Sequence, residues 1–266
     1  MIKIIKNVAV SSRIGVSAIS MACTYLYLVI AKGISLENLI LSFSIFFVTS
    51  AGFIWNDIYD YTKDKTAQKN RPICSDKLSI KTAKIAATII SFFSILIPLL
   101  FGNIPAVLTI SALILGVILY SPFSKNISLF KGLFTAILCC GPIFYANIIA
   151  HKLVPFTAYI AIMIFITGRE ILLDIYDIKG DILSSRKTIP SQIGIKFSNL
   201  LSWTLMYIGT TFLIYFAHDN VIIIWLTCFC LLLLIIATLL PQKKESLVVN
   251  LTRFVMLISS LSLALI

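Results

Sequence analysis

The sequence predicts an all-α integral membrane protein of nine transmembrane helices, and three observations predict it. Of 266 residues, 59% are hydrophobic and only 12% are charged, about half the ~25% charged share of soluble domains. A mean hydropathy of +1.01 runs through the whole length, leaving no water-facing stretch of about 100 residues for a soluble domain. The basic residues, finally, gather in alternate connections between apolar runs. This composition excludes a cytosolic enzyme, a disordered tail and a secreted disulfide scaffold. Residues 1–266 read as a single transmembrane domain.

A bilayer core needs about 20 mostly apolar residues per helix. Helices are expected near 14–31, 38–61, 80–101, 104–121, 129–150, 154–178, 199–217, 220–240 and 248–266. The first follows Lys3 and Lys6, as in a signal peptide. It lacks a clear small-residue cleavage site and further spans follow, so it reads as an uncleaved span. Most breaks are short, such as Phe101-Gly102-Asn103 and Ser121-Pro122, and two are long, at about 62–79 and 179–198. With the N-terminus inside, the inner side receives 19 of the 22 Lys and Arg residues, from Lys3, Lys6 and Arg13 through Lys131 to Arg253. Lys32 and Lys152 fall outside, and Arg169 lies within a span. Basic residues accumulate in cytoplasmic loops, so the N-terminus is expected in the cytoplasm, the C-terminus outside, and both long loops on the cytoplasmic face of the cell's inner membrane. The same rule accounts for the net charge of +11 without nucleic acid as a partner.

Cysteine carries little chemistry. Cys23, Cys139, Cys140, Cys228 and Cys230 sit in apolar runs and Cys74 in a polar loop. No C-x-x-C pair exists, and His151 and His218 stand alone near segment ends, which argues against a zinc site.

The acidic residues are scarce and therefore informative. Seven of eleven fall in two windows, 57–64 and 170–181, each at the cytoplasmic end of an expected helix. At about 100° per residue, Asn56, Asp60, Asp64 and Asp57 point at roughly 0°, 40°, 80° and 100° on one helix. Asp174, Asp181, Glu170 and Asp177 form a second stripe about 60° wide. Like charges at helical spacing repel, and an ionised group at membrane depth costs about 2.5–3.5 kcal/mol even on lenient scales. A shared divalent cation is the simplest compensation. Oxygen ligands suit Mg²⁺, which commonly bridges to phosphates. The nearby Lys63, Lys65, Lys69, Arg71, Lys179, Arg186 and Lys187 suit a diphosphate, whose leaving-group charge they and the metal would neutralise.

Asn56-Asp57-Ile58-Tyr59-Asp60-Tyr61-Thr62-Lys63-Asp64 resembles the N-D-x-x-D-x-x-x-D signature of the UbiA superfamily of intramembrane prenyltransferases. Asn70-Arg71-Pro72-Ile73 resembles the N-R-P-I that follows that signature. Asp174 to Asp181, with the tail Lys187-Thr188-Ile189-Pro190, resembles the family's second aspartate motif, and Leu119-Tyr120-Ser121-Pro122 with Lys125 resembles its fourth-helix end and basic loop. The resemblance implies a nine-helix bundle around a central cavity, with the isoprenyl tail in an apolar tunnel often open to membrane lipid. It implies an isoprenyl diphosphate bound through Mg²⁺, loss of diphosphate to an allylic carbocation, and attack by a hydrophobic or aromatic acceptor, either a quinone precursor or a glycerol-phosphate lipid. By the same resemblance Asn56, Asp60, Asp64, Asp177 and Asp181 hold metal, the four aspartates among them being catalytic. Asp57 and Asp174 are extra acids that either ligate metal or support the ligands. Arg71, Lys125 and Lys187 contact diphosphate, and Tyr120 lies near the reacting carbon.

One departure stands out. Where many members carry R-P-x-N at the first helix, this chain reads Arg13-Ile14-Gly15-Val16, keeping only the Arg of an element that shapes the acceptor pocket in some relatives. The second motif, with Arg169-Glu170 ahead of Asp174, is most similar to members that prenylate glycerol-phosphate ethers, and homogentisate- and quinone-directed members share parts of it. The aspartate motifs alone also fit a terpene cyclase on the same scaffold, because ionisation is common to both. A transporter is the remaining alternative, although transporter sites tend to lie at the midplane.

Overall fold

The computed structural model describes all residues except 1, 67–69, 125–127, 184–186, 217–219 and 242–243, and only the backbone of 63, 121–124 and 128–130. Among the described residues every regular element is helical. Among the described residues eight helices are long and apolar enough to cross a membrane, and Ile104–Tyr120 is a further apolar helical stretch. The chain is therefore a multi-pass membrane protein. Its residues divide into two compact units, 1–125 with 141–152, and 126–140 with 153–266.

The first unit opens with α1 (Ile2–Ser11) and α2 (Ile14–Lys32), joined at Arg13, whose φ of 47° is left-handed. The separate α1 is an addition to the expected elements. Next come α3 (Leu36–Tyr59), the short α4 (Tyr61–Thr66), α5 (Ile80–Leu100) and α6 (Ile104–Ser124). Ser35 starts α3 by accepting the Asn38 N–H at 3.0 Å, and Ser79 starts α5 by accepting from Thr82 at 3.1 Å. Such caps contribute about 1 kcal/mol each. α3 packs against α2, α5 and α6, burying Leu41, Ile45, Val48, Ala51 and Ile54.

The next helix, α7 (Ser128–Ala150), belongs to the first unit by its C-terminal part, from Gly141 on. Polar side chains fasten that part. The Tyr27 hydroxyl donates to Asn147, and the Tyr145 hydroxyl donates to the Leu41 carbonyl at 3.0 Å. In a bilayer, where apolar burial drives helix association little, such bonds and close packing do the work.

The second unit holds the start of α7 with α8 (Phe156–Tyr176), the short α9 (Ile178–Leu183) and α10 (Ile189–Ile193), then α11 (Ile195–Tyr215), α12 (Val221–Leu239) and α13 (Glu245–Ser262). α8 and α11 lie close enough that only glycine fits at two points. A Cβ on Gly168 would sit 2.6 Å from the Ser202 carbonyl oxygen, and one on Gly209 would sit 2.6 Å from that of Ala161. The Ser202 hydroxyl donates to the Gly168 carbonyl at 2.8 Å across the same seam.

Candidate functional site

Each unit carries one aspartate element, and the two elements have the same local structure. Asp57-Ile58-Tyr59-Asp60 and Asp174-Ile175-Tyr176-Asp177 are identical in sequence, and each is followed four residues later by another aspartate, Asp64 or Asp181. The continuous helices expected over 38–61 and 154–178 end at the middle aspartate instead. Asp60 caps α3 with φ −86° and ψ 5°, and Asp177 caps α8 with φ −89° and ψ 3°. A short helix then resumes, with the Asp64 N–H donating to the Asp60 carbonyl at 2.8 Å and the Asp181 N–H to the Asp177 carbonyl at 3.1 Å. In each element the outer aspartates are buried, at 2% and 1% exposure for Asp57 and Asp64 and 6% and 0% for Asp174 and Asp181. The middle one is more accessible, Asp60 half-buried and Asp177 exposed.

Buried carboxylates need cations, and the structure supplies them. Arg71 Nη1 lies 2.7 Å from Asp57 Oδ1 and 2.5 Å from Asp64 Oδ2. The Arg13 guanidinium sits 3.4 Å from Asp57 and 4.5 Å from the centroid of the Phe53 ring. Burial, and after it the repulsion of Arg71, lowers the Arg13 pKa from its ordinary value, yet a guanidinium stays charged at any physiological pH. The segment bearing Arg71 is docked by Ile73 and Leu78, which pack with Ile54 and Ile58 of α3 and Ala83 and Ala87 of α5. Val8 of α1 packs on the same cluster, and Asn7 Nδ2 donates to the Lys77 carbonyl at 2.7 Å. Burial pushes the Cys74 thiol up, with Asp64 adding to the effect, so it stays protonated and takes no part as a thiolate.

In the second element, Lys131 of α7 is ion-paired to Asp174, and Arg169 Nη1 lies 3.8 Å from Glu170 Oε1. After Asp181, Lys187 is exposed, while Thr188, Ile189 and Pro190 are buried. The Thr188 N–H donates to Ser191 Oγ at 2.9 Å, which starts α10.

Of the expected site residues, the first unit brings together Asp57, Asp64 and Arg71. Asn56, Asp60 and Tyr120 are half-buried on α3, at its cap and on α6. Lys125 lies outside the described residues, as do Lys69 and Arg186. Sequence reasoning missed Lys131 as the partner of Asp174 and Arg71 as a partner of carboxylates. Among the described residues no three His, Cys, Asp or Glu side chains converge as a ready-made metal centre. The donor set itself fits a hard cation, since each element offers carboxylate oxygens and neither contains Cys or His.

A family model of the UbiA prenyltransferase family matches residues 19–261. The chain belongs to the UbiA prenyltransferase family. It is accordingly a membrane prenyltransferase that moves an isoprenyl group from its diphosphate to an acceptor, which excludes a transporter. This UbiA-family chain is 27% identical over 239 residues to the digeranylgeranylglyceryl phosphate synthase of Sulfurisphaera tokodaii, covering 86% of this chain and 84% of the other. It is 30% identical over 252 residues to the synthase of the same name from Methanococcus maripaludis, covering 85% and 86%. In fold it is similar to a UbiA homologue from Archaeoglobus fulgidus bound to GPP and Mg²⁺, with a TM-score of 0.74 at 15% identity over 98% of this chain and 100% of the other. A UbiA homologue from Aeropyrum pernix gives a TM-score of 0.74 at 18% identity, covering 92% and 96%. The relatives favour transfer over cyclisation.

Proposed function

We propose that this prenyltransferase uses Mg²⁺ and passes its isoprenyl group to a glycerol-phosphate prenyl ether. The duplicated aspartate element carries this reading. Two copies of D-I-Y-D-x-x-x-D, each at a helix end and each bearing buried carboxylates, each offer oxygen ligands suited to magnesium and a diphosphate. The synthase names of the relatives and the Arg169-Glu170 lead into the second element support the acceptor. In this reading Asn56, Asp60, Asp64, Asp177 and Asp181 hold the metal, with Asp57 and Asp174 behind them. The bound metal supplies charge neutralisation of the departing diphosphate. Arg71, Lys125 and Lys187 hold the diphosphate oxygens, and Tyr120 lies beside the carbon that becomes cationic. The C–O bond to diphosphate breaks first, leaving an allylic carbocation; the acceptor hydroxyl oxygen then bonds to that carbon and its proton passes to the released diphosphate or to water. The chain works as a single domain of nine spans, the ninth being Ile104–Tyr120, with its N-terminus in the cytoplasm.

Radiolabelled isoprenyl diphosphates of several chain lengths, offered to the purified protein with geranylgeranylglyceryl phosphate or with aromatic acceptors, test the acceptor. The expected product is a doubly prenylated glycerol phosphate, formed only with Mg²⁺ and lost in Asp60→Ala and Asp181→Ala. Product on aromatic acceptors alone would overturn the lipid assignment. A cyclic hydrocarbon or alcohol formed without any acceptor would restore the cyclase.

A further inference from the structure

The first aspartate of each D-I-Y-D repeat is occupied by a cation built into its own unit. In the first repeat it is Arg71 on Asp57. In the second it is Lys131, which comes from another helix 43 residues away and pairs with Asp174 while only 14% of its side chain is exposed. Ordering a lysine side chain costs up to about 2 kcal/mol of entropy, and burying an ion pair adds a desolvation cost. Packing alone would be met as well by an apolar residue, so the charge itself has a use.

Each repeat thus has its first aspartate paired with a protein cation, Arg71 reaching Asp64 as well in the first repeat, and a middle aspartate that is more accessible, Asp60 or Asp177. We propose that Lys131 is a positioning residue of the second element: it holds Asp174 out of the metal's coordination sphere, so that Asp177 and Asp181 take the metal. This rests on the prenyltransferase reading above. A further carboxylate on the metal would tighten its binding but draw down its positive charge, leaving less for the diphosphate that must depart. Lys131 therefore gives up metal affinity in favour of diphosphate.

The opposite signs make the test specific. Mn²⁺ binding is followed by electron paramagnetic resonance on the free protein in detergent, beside steady-state kinetics with Mg²⁺ and geranylgeranyl diphosphate. Lys131→Met is expected to bind Mn²⁺ about tenfold more tightly, with a raised KM for the diphosphate and a lowered kcat. Lys131→Arg should restore wild-type values, and in an Asp174→Asn background Lys131→Met should leave Mn²⁺ affinity within about twofold. A merely structural lysine would weaken metal binding and turnover together. Weakened or unchanged Mn²⁺ binding in Lys131→Met, or the same tightening in the Asp174→Asn background, overturns the proposal. If Lys131→Met does not fold, Lys131→Gln is read by the same criteria. The Mn²⁺ measurement decides for Lys131 whether or not turnover is seen, whereas failure of the wild type to release diphosphate from any chain length overturns the prenyltransferase reading instead.

Discussion

At the scale of the residue, Arg71 shows how one cation serves two carboxylates. A single nitrogen of its guanidinium lies within 2.7 Å of Asp57 and 2.5 Å of Asp64, both nearly inaccessible. Removing it leaves two buried anions with Arg13 as a second cation at 3.4 Å from only one of them. Breaking a buried pair from one side typically costs about 3–5 kcal/mol. Arg71→Ala is therefore expected to lower the melting temperature in detergent as well as abolish diphosphate release, with Arg71→Lys in between because an ammonium lacks the planar fork. Lost release at an unchanged melting temperature would show that the pairing contributes nothing to stability. The aspartates themselves were legible in the sequence because acid is rare in an apolar chain. Their partners were not. Lys131 meets Asp174 only through the packing of α7 against α8, and in the sequence its charge is indistinguishable from those that orient the chain.

At the scale of the element, the length of the apolar runs located the spans closely: 80–101 against Ile80–Leu100, and 129–150 against Ser128–Ala150. It did not locate the breaks at Asp60 and Asp177. No glycine or proline marks either position, and each helix resumes after one residue. Aspartate is a weak helix former, and at Asp60 the next turn is also drawn toward Arg71 through Asp64, a tertiary effect with no local signature. The seam between α8 and α11 was equally invisible, since a glycine in an apolar run does not say what it faces. It makes a sharp prediction nonetheless. The Cβ of Gly209→Ala would meet the Ala161 carbonyl oxygen and the Phe165 backbone nitrogen, each at 2.6 Å, and overpacking of this kind costs about 1–3 kcal/mol. Gly15, in α2, has nothing within 4 Å of a built Cβ, so Gly15→Ala should be neutral or stabilising. Thermal unfolding of the two variants in one detergent is expected to separate them, and equal melting temperatures would remove the close seam as a source of stability.

At the scale of the whole molecule, the parity of the spans decides which side of the membrane each long loop occupies. α6 is the pivotal element. Its 21 residues, Ile104–Ser124, amount to about 31 Å at 1.5 Å per residue, enough for a hydrocarbon core of about 30 Å. If α6 crosses, the distribution of Lys and Arg is satisfied throughout: Lys77, Lys131, Lys179 and Lys187 all fall on the inner side, and Lys32 and Lys152 alone are loop charges left outside. If it does not cross, every connection after it changes sides, and the basic residues of 179–198 lie opposite those of 62–79, against the charge rule. Single cysteines at exposed Ser75 and Leu153, placed in a chain freed of its native cysteines, distinguish the two. With nine spans, a membrane-impermeant maleimide should label Leu153→Cys in intact cells and Ser75→Cys only in inverted vesicles. Labelling of both from the same side would mean that α6 stays on one side, and the charge rule would then fail for the connection 179–198. The distribution of Lys and Arg requires the first result, with 62–79 and 179–198 both on the cytoplasmic face.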